Sequence, residues 1–160
     1  MPIEIVPIRE EHIEGFHAAL GVVCRERAYL AFLDAPPLDS TRDFVNRSIA
    51  TRSPHLVALA DNRVVGWCDV TPLNRSTMRH GGVLGMGLVP NWRGQGLGER
   101  LLRQALEASR NFGLARVELS VRSDNARAER LYRKVGFTVE GHRRRALLVD
   151  GEFYDLISMA

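Results

Sequence analysis

The chain has 160 residues, of which 45% are hydrophobic and 26% are charged, and its formal net charge at pH 7 is +3. This length suits one domain with a full hydrophobic core, which we expect to span residues 1–160. The sequence has no run of the roughly 18 apolar residues that a membrane span needs, and no basic segment followed by an apolar one at its start. We therefore expect a cytoplasmic protein that does not act at a membrane.

The basic residues are almost all arginine, with Lys134 as the single lysine. Their densest run, Arg143 to Arg145, has no aromatic residues beside it that could stack on bases, so we expect no nucleic-acid partner. Cys24 and Cys68 are far apart in the sequence, and nothing near them has metal-ligand spacing. We expect neither a disulfide framework nor a metal site.

The first half of the chain predicts a strand, two helices and a hairpin, in that order. The strand is predicted at 3–8 and the first helix at 10–27. After a break at 34–37, a second helix begins with Ser40 or Thr41 as its cap. Two strands at 55–60 and 64–70 then form a hairpin around Asp61-Asn62. The side chains expected to face the core are Ile13, Phe16, Ala19 or Leu20, and Val23 in the first helix, and Phe44, Val45 and Ile49 in the second.

The second half predicts two strand–helix pairs and a final hairpin, after a polar connection over 71–82. The strands are expected at 83–89, 116–121, 138–149 and 152–159. One helix is expected at 97–112, with Gly113 as its C-cap. A second, shorter helix is expected to begin at a cap formed by Asp124 or Asn125 and to end at Gly136. This order predicts an α/β fold in which about four helices cover the faces of one mixed sheet.

Residues 93–98 read Arg-Gly-Gln-Gly-Leu-Gly and join a predicted strand to a predicted helix. The first amides of a helix have no acceptor within the helix, and the helix dipole is positive there. Glycines allow an anionic group to approach these amides without a Cβ in the way. The segment therefore predicts a site for a phosphorylated ligand.

Two common phosphate-binding motifs do not fit this segment. A nucleoside-triphosphate loop needs Gly-Lys followed by Ser or Thr, which the segment lacks. A dinucleotide-binding turn needs Gly-x-Gly-x-x-Gly, but Glu99 or Leu101 stands at the third glycine position, depending on the starting glycine. The third candidate is a site for the pyrophosphate of an acyl-CoA.

Arg93 to Gly98 matches the Arg/Gln-x-x-Gly-x-Gly/Ala signature of the GCN5-related N-acetyltransferases (GNAT). The second signature of that family is similar, at the expected distance, to Asn125-Ala126-x-Ala128-x-x-Leu131-Tyr132-x-Lys134-x-Gly136-Phe137. The resemblance covers roughly the whole chain. The ending, with Gly141 and residues 150–155, resembles the branch that acetylates free amino acids and phosphinothricin. The resemblance implies the GNAT fold and acetyl-CoA as cosubstrate.

The resemblance also implies how acetyl-CoA would bind. Backbone groups of Met86, Gly87 and Leu88 would pair with the pantetheine arm as an added strand does, and Gly85 together with Gly87 would make a bulge easy there. Backbone amides of the glycine turn would hold the pyrophosphate. The turn residues implied in cofactor binding are Arg93, which would add charge, Gly94, Gln95, Gly96, Leu97, Gly98 and Glu99.

Two residues of the second signature carry implied roles. Asn125 matches a family position that contacts CoA, and it also suits a helix N-cap. Tyr132 is the candidate catalytic residue. A phenol has a pKa near 10 and a thiol near 8.5, so a neutral tyrosine within hydrogen-bond reach can protonate the departing thiolate.

The sequence leaves the general base open. Many family members carry an acidic residue at one of two places, either just before the CoA-binding strand or on the strand after the long helix. In this chain residues 81–84 occupy the first place and Ser120 the second, and none of these residues is acidic. Glu118 would share a strand face with Ser120. His80 is also a candidate base, because a histidine side chain ordinarily titrates near neutral pH. A water chain, or an amine that arrives already neutral, would need no dedicated residue.

The predicted reaction is transfer of an acetyl group to the primary amine of a small molecule, such as an amino acid, by direct attack on the thioester. The alternatives are a protein N-terminus or a ribosomal protein as the acceptor, and a non-catalytic CoA-binding module. The sheet edge of the final hairpin is compatible with a homodimer. Acceptor contacts are expected in residues 26–39 and the last hairpin, with charged candidates Glu26, Asp34, Asp39, Arg75 and Arg79.

Overall fold

The computed structural model describes residues 2–160, which form seven strands and four helices in the predicted order. The strands are β1 (Ile3–Pro7), β2 (His55–Ala60), β3 (Arg63–Pro72), β4 (Gly81–Leu88), β5 (Arg116–Arg122), β6 (Val139–Val149) and β7 (Glu152–Met159). The helices are α1 (Ile13–Arg25), α2 (Leu38–Thr51), α3 (Leu97–Phe112) and α4 (Ala126–Val135). The predicted α/β fold with four helices is confirmed. Over residues 2–160, no helix is long and apolar enough to cross a bilayer.

The strands form one mixed sheet in the order β1-β2-β3-β4-β5-β7-β6. Neighbouring strands are antiparallel except β4 and β5, which pair in parallel. That parallel pairing joins Gly81–Val83 to Arg116–Glu118 and no more. From Leu119 onward β5 pairs with β7 instead, so β4 and β5 part along the rest of their length.

Two hydrophobic clusters pack on opposite faces of the sheet. Successive residues of a strand point to opposite faces, and β3 contributes Trp67 to the cluster of α1 and α2 and Cys68 to the cluster of α3 and α4. In α1, the predicted core side chains Ile13, Phe16, Ala19 and Val23 are all buried. The first cluster therefore defines an α1–α2 face of the sheet, and the second an α3–α4 face.

The predicted cap of the second helix at Ser40 or Thr41 is wrong, because α2 begins at Leu38 directly after Pro37. The proline ring holds φ near its helical value, with an observed φ of −52°. The backbone amides of Ser40 and Thr41 donate to the Pro37 carbonyl at 2.9 and 3.2 Å. The proline thus starts the helix one turn earlier than the hydroxyl residues suggested.

The core face of α2 also differs in part from the prediction. Val45 is fully buried and Phe44 is half-buried, but Ile49 is 41% exposed. Ser48 takes the buried position, and its hydroxyl donates to the Phe44 carbonyl at 3.2 Å. A serine can stay buried there because the preceding turn of the helix satisfies its hydroxyl.

Glycine and asparagine bound the helices of the other face as predicted. Gly113 and Gly136 end α3 and α4 with φ of 108° and 119°, a left-handed conformation that glycine adopts without strain. Of the two candidate caps of α4, Asn125 is the one used, and its side chain accepts the Ala128 amide at 3.3 Å. Asp124 binds the Arg122 guanidinium instead.

Candidate active site

The sheet opens between β4 and β5, after the three paired residues of each strand. Between Leu84 and Leu88, β4 pairs with β3 on one side, while over the described residues no strand pairs with its other side. A strand with an unpaired edge presents a row of free backbone donors and acceptors. The predicted segment Met86-Gly87-Leu88 lies on this edge, so its backbone is available to an extended ligand.

The bulge that Gly85 and Gly87 would make easy is not present between β3 and β4. β4 keeps a regular register with β3 from Gly82 to Leu88. The structure gives a different reason for Gly87, because a Cβ at that position would lie 2.7 Å from Cζ2 of Trp67 and closer still to its Cη2 atom. The Trp67 ring is only 3% exposed, so it fills the space that a side chain at residue 87 would need.

The glycine turn lies just beyond the open edge, after a single turn of 3-10 helix at Pro90–Trp92. Gly94 and Gly96 have φ of 73° and 82°, a region that L-residues with side chains rarely adopt. At neither position would a Cβ meet another atom within 4 Å. Gly96 is the N-cap of α3, so the open space lies against the helix start, and the residues fit an anion there.

Glu99 lies in the first turn of α3, where its carboxylate binds Lys134 at 2.8 Å and Arg103 at 3.0 Å. These two cations, Lys134 first, hold the pKa of Glu99 below its usual range. The ion pair with Lys134 joins the start of α3 to α4. Of the predicted turn residues, Leu97 is buried and anchors the helix, while Gln95 donates to the Asn91 carbonyl at 2.8 Å.

The Arg93 guanidinium contacts residues on the opposite side of the turn from α3. It donates to both oxygens of Glu26 at 2.9 and 2.6 Å and to the Leu88 carbonyl at 3.0 Å. It also lies over the Tyr29 ring, 4.7 Å from the centroid. Arg93 therefore ties the connection between α1 and α2 to the end of β4, and its predicted contact with a pyrophosphate stays a prediction.

Tyr132 lies in α4 with its ring in the cluster on the α3–α4 face. It is 8% exposed and packs edge-on against Phe137, with ring centroids 5.7 Å apart. Burial, and secondly the neighbouring Cys68 thiol, raise the pKa of the phenol well above its usual value. Cys68 is paired with Met86 across β3 and β4, and Met86 packs against the same cluster as Tyr132. Tyr132 therefore lies on the same face of the sheet as the Met86 side chain, and its raised pKa keeps it neutral.

The structure places the three general-base candidates from the sequence in different surroundings. Glu118 is held by Arg116 at 3.2 Å. Ser120 is exposed on β5 beside the opening, and a hydroxyl is itself a poor base. His80 is exposed, and its carbonyl accepts the amides of Ala115 and Arg116. None of the three is both unpaired and basic beside the middle of β4.

The acceptor candidates on the connection between α1 and α2 are largely occupied. Glu26 is taken by Arg93, and Asp34 binds Arg25 at 2.8 Å. In the same connection, Arg27 binds Asp150 in the turn between β6 and β7 at 2.6 Å. The predicted acceptor region therefore lies between the α1–α2 connection and the β6–β7 hairpin, which the ion pair of Arg27 and Asp150 links.

Three polar residues of this region were missed by the sequence reasoning. Arg122 is 3% exposed, binds Asp124 and the Arg27 carbonyl, and lies 3.7 Å from the Tyr154 ring centroid. His55 and Asp69 are opposite each other on β2 and β3. In the sequence all three look like ordinary polar positions of strands, and only the tertiary structure shows their partners.

The profile described as Acetyltransferase (GNAT) family matches residues 24–137. The chain belongs to the GNAT family. This GNAT chain is 34% identical over 106 residues to L-amino acid N-acetyltransferase AaaT of Escherichia coli (strain K12), covering 66% of the chain and 65% of that protein. It is 39% identical over 107 residues to N-alpha-acetyltransferase RimI of Mycobacterium tuberculosis (strain ATCC 25618 / H37Rv), covering 66% of each. The matches thus span just under two thirds of these relatives.

A solved structure supports the fold over nearly the whole chain. The GNAT superfamily phosphinothricin acetyltransferase (Pat) from Sinorhizobium meliloti, solved in complex with AcCoA, superposes with a TM-score of 0.92 at 17% identity. The superposition covers 99% of this chain and 87% of that one. The predicted GNAT fold is confirmed.

We predict that Gly87→Ala destabilises the protein by about 1–3 kcal/mol, the usual cost of overpacking a full core. The added methyl meets the Trp67 ring, which cannot move because it packs edge-on against Phe16 at 5.6 Å. Gly85→Ala is the matched control, since its Cβ would meet Asp69 Oδ2 at an ordinary 3.6 Å. Urea unfolding measures both variants, and equal stabilities would contradict the packing argument.

Proposed function

We propose that this GNAT protein is an acetyl-CoA-dependent N-acetyltransferase whose acceptor is the primary amine of a small molecule, such as an amino acid. The observation that carries the proposal is the unpaired edge of β4, which leads through Pro90–Trp92 to the glycine turn at the start of α3. An extended ligand with an anion at one end suits that arrangement, because the edge offers backbone hydrogen bonds and the helix start offers free amides.

In this proposal, the backbone of Met86, Gly87 and Leu88 binds the pantetheine arm, and amides of the turn from Gly94 to Glu99 hold the pyrophosphate. A β4 amide also donates to the thioester oxygen, where negative charge grows as the amine attacks directly. Asn125 uses its Oδ1 atom for the helix cap, so its amide group remains a donor for CoA.

Tyr132 protonates the departing thiolate. Its raised pKa keeps the phenol protonated across the neutral range, so its hydroxyl can donate a hydrogen bond to the sulfur as the C–S bond breaks. Its position under β4, beside the residue paired with Met86, supports a contact with the end of the pantetheine arm.

The choice of a small acceptor is supported by the ion pair between Arg27 and Asp150, which links the α1–α2 connection to the final hairpin. A peptide would need an open groove between those segments. The relative AaaT is named an L-amino acid N-acetyltransferase. The second candidate acceptor is a protein N-terminus, which the 39% identity to the N-alpha-acetyltransferase RimI favours.

The homodimer and the cytoplasmic location stay predictions. β6 is the last strand of the sheet, and the hairpin exposes Leu148 and Phe153, at 62% and 56%, on paired positions. An exposed apolar pair at a sheet edge is a surface that a second copy could cover.

We expect free amino acids to be acetylated with a higher kcat/KM than peptides of the same N-terminal residue, because the linked segments restrict a longer acceptor. Release of the CoA thiol from acetyl-CoA, followed across matched amino acid and peptide pairs, measures this preference. The reverse order would favour the protein N-terminus as the acceptor.

We expect Tyr132→Phe to lower kcat by about 100-fold or more, the usual contribution of a general acid, with little change in CoA affinity. The ring still packs on Phe137, so the fold is retained. Turnover and calorimetric CoA binding measure the two effects, and full turnover by Tyr132→Phe would rule out the assigned role.

We expect Gly96→Glu to abolish CoA binding, because it adds a side chain and a negative charge where the pyrophosphate would bind. Gly113→Glu is the control at the other end of α3, also with a positive φ and no atom within 4 Å of a Cβ. Both variants carry backbone strain, so calorimetry separates the binding effect from the common loss of stability. Equal CoA affinity in the two variants would contradict the assigned site.

A further inference from the structure

We propose that Asp69 is the general base that removes a proton from the acceptor amine. This inference rests on the proposed acetyltransferase function and names the residue that the sequence left open. The argument depends on the position of Asp69 beside β4, on the groups around it and on the protons that the reaction must move.

Asp69 lies on β3 directly opposite Gly85 of β4. Its carboxylate oxygens are 3.6 and 3.8 Å from the point that a Cβ on Gly85 would occupy. Gly85 precedes Met86, the first residue of the segment proposed to hold the pantetheine arm. Because Gly85 has no side chain, nothing from that position separates the carboxylate from the open edge of β4.

The carboxylate lies on the α1–α2 face of the sheet. Asp69 is two residues from Trp67, so both point to the same side, and Trp67 packs against Phe16 of α1. The connection between α1 and α2, where the acceptor is expected, lies on that side. Tyr132 lies on the opposite face, so the proposed base and acid flank β4 from its two sides.

The residues paired with Asp69 on the two neighbouring strands are uncharged. His55 stands opposite on β2, and burial lowers its pKa to about 3, so its imidazole is neutral at pH 7. The His55 ring itself packs against Phe16 of α1 and Phe44 of α2, with centroid distances of 4.8 and 5.6 Å. On β4, the paired residue is Gly85.

On its own strand, Asp69 is next to Cys68. Burial raises the pKa of the Cys68 thiol, so this thiol is neutral. Burial raises the pKa of Asp69 to about 7, because a buried carboxylate loses the solvation that favours its charged form. A carboxylate that titrates near neutral pH is matched to a proton transfer from an amine.

The reaction requires such a base because a primary ammonium has no free electron pair. Its first proton passes to the Asp69 carboxylate and from there to water, and the neutral nitrogen then forms a C–N bond with the thioester carbon. The second proton passes from the nitrogen to water as the C–S bond breaks, and the thiolate gains one from Tyr132, which solvent reprotonates. The products are the amide, the CoA thiol and one released proton.

The test compares Asp69→Asn with Asp61→Asn, the same change at an exposed turn residue of the same hairpin. We expect wild-type kcat/KM to rise through a pKa near 7. Asp69→Asn should lower kcat/KM at pH 7.5 by about 100-fold or more and abolish that inflection, with calorimetric CoA affinity unchanged. Asp61→Asn should keep the wild-type profile.

A second measurement does not depend on activity. The folded state holds a proton on Asp69 up to pH 7 that the unfolded chain releases near pH 4, so this carboxylate lowers wild-type stability as pH rises from 4 to 7. Asn at residue 69 does not ionise. The Tm of Asp69→Asn should therefore rise relative to wild type between pH 4 and 8, while Asp61→Asn should not.

Three results would overturn the proposal. If the wild type transfers acetyl groups and Asp69→Asn keeps its rate and pH profile, or if the Tm difference is the same at pH 4 and 8, Asp69 is not the base and the acetyltransferase function stands. If the wild type neither binds CoA nor acetylates any amine of the panel, the base assignment and the proposed function fail together.

Discussion

The candidate site depends on how briefly β4 and β5 pair. Hydrogen bonds join Gly81–Val83 to Arg116–Glu118, after which the backbone of β5 bonds to β7. A strand has two edges, so once β7 occupies the edge of β5, β4 keeps an edge with which no strand of residues 2–160 pairs. Free amides and carbonyls in the middle of a sheet are costly unless a ligand or water binds them, and this makes the gap between the strands the natural place for an extended ligand.

The glycines around this gap serve different physical purposes. Gly87 is required because the Trp67 ring occupies the space beside it, whereas Gly94 and Gly96 provide the positive φ angles of the turn before α3. Gly85 leaves room for a carboxylate from the next strand. Within one short segment, glycine therefore has three roles: it avoids a clash with a buried ring, it adopts a positive φ angle, and it leaves space beside a carboxylate.

Ion pairs hold the connection between α1 and α2 against the site. Glu26 binds Arg93 with both partners largely buried, and removal of either would leave an uncompensated buried charge. Arg27 contributes its carbonyl to the buried Arg122 and its side chain to the exposed Asp150. The exposed pair adds little stability on its own, so its main effect is on the position of the final hairpin relative to the early helices.

Local patterns in the sequence determined the element order, the glycine turn and the likeness to GNAT proteins, because periodicity, capping residues and turn glycines act over a few neighbouring residues. The same reasoning misjudged the start of α2 at Pro37 and the exposure of Ile49, each of which depends on packing. Tertiary structure decided the gap between β4 and β5 and the surroundings of Asp69. A strand pattern determines only which face a side chain is on, whereas the pKa and reach of Asp69 depend on His55 and Gly85, which strand pairing brings beside it.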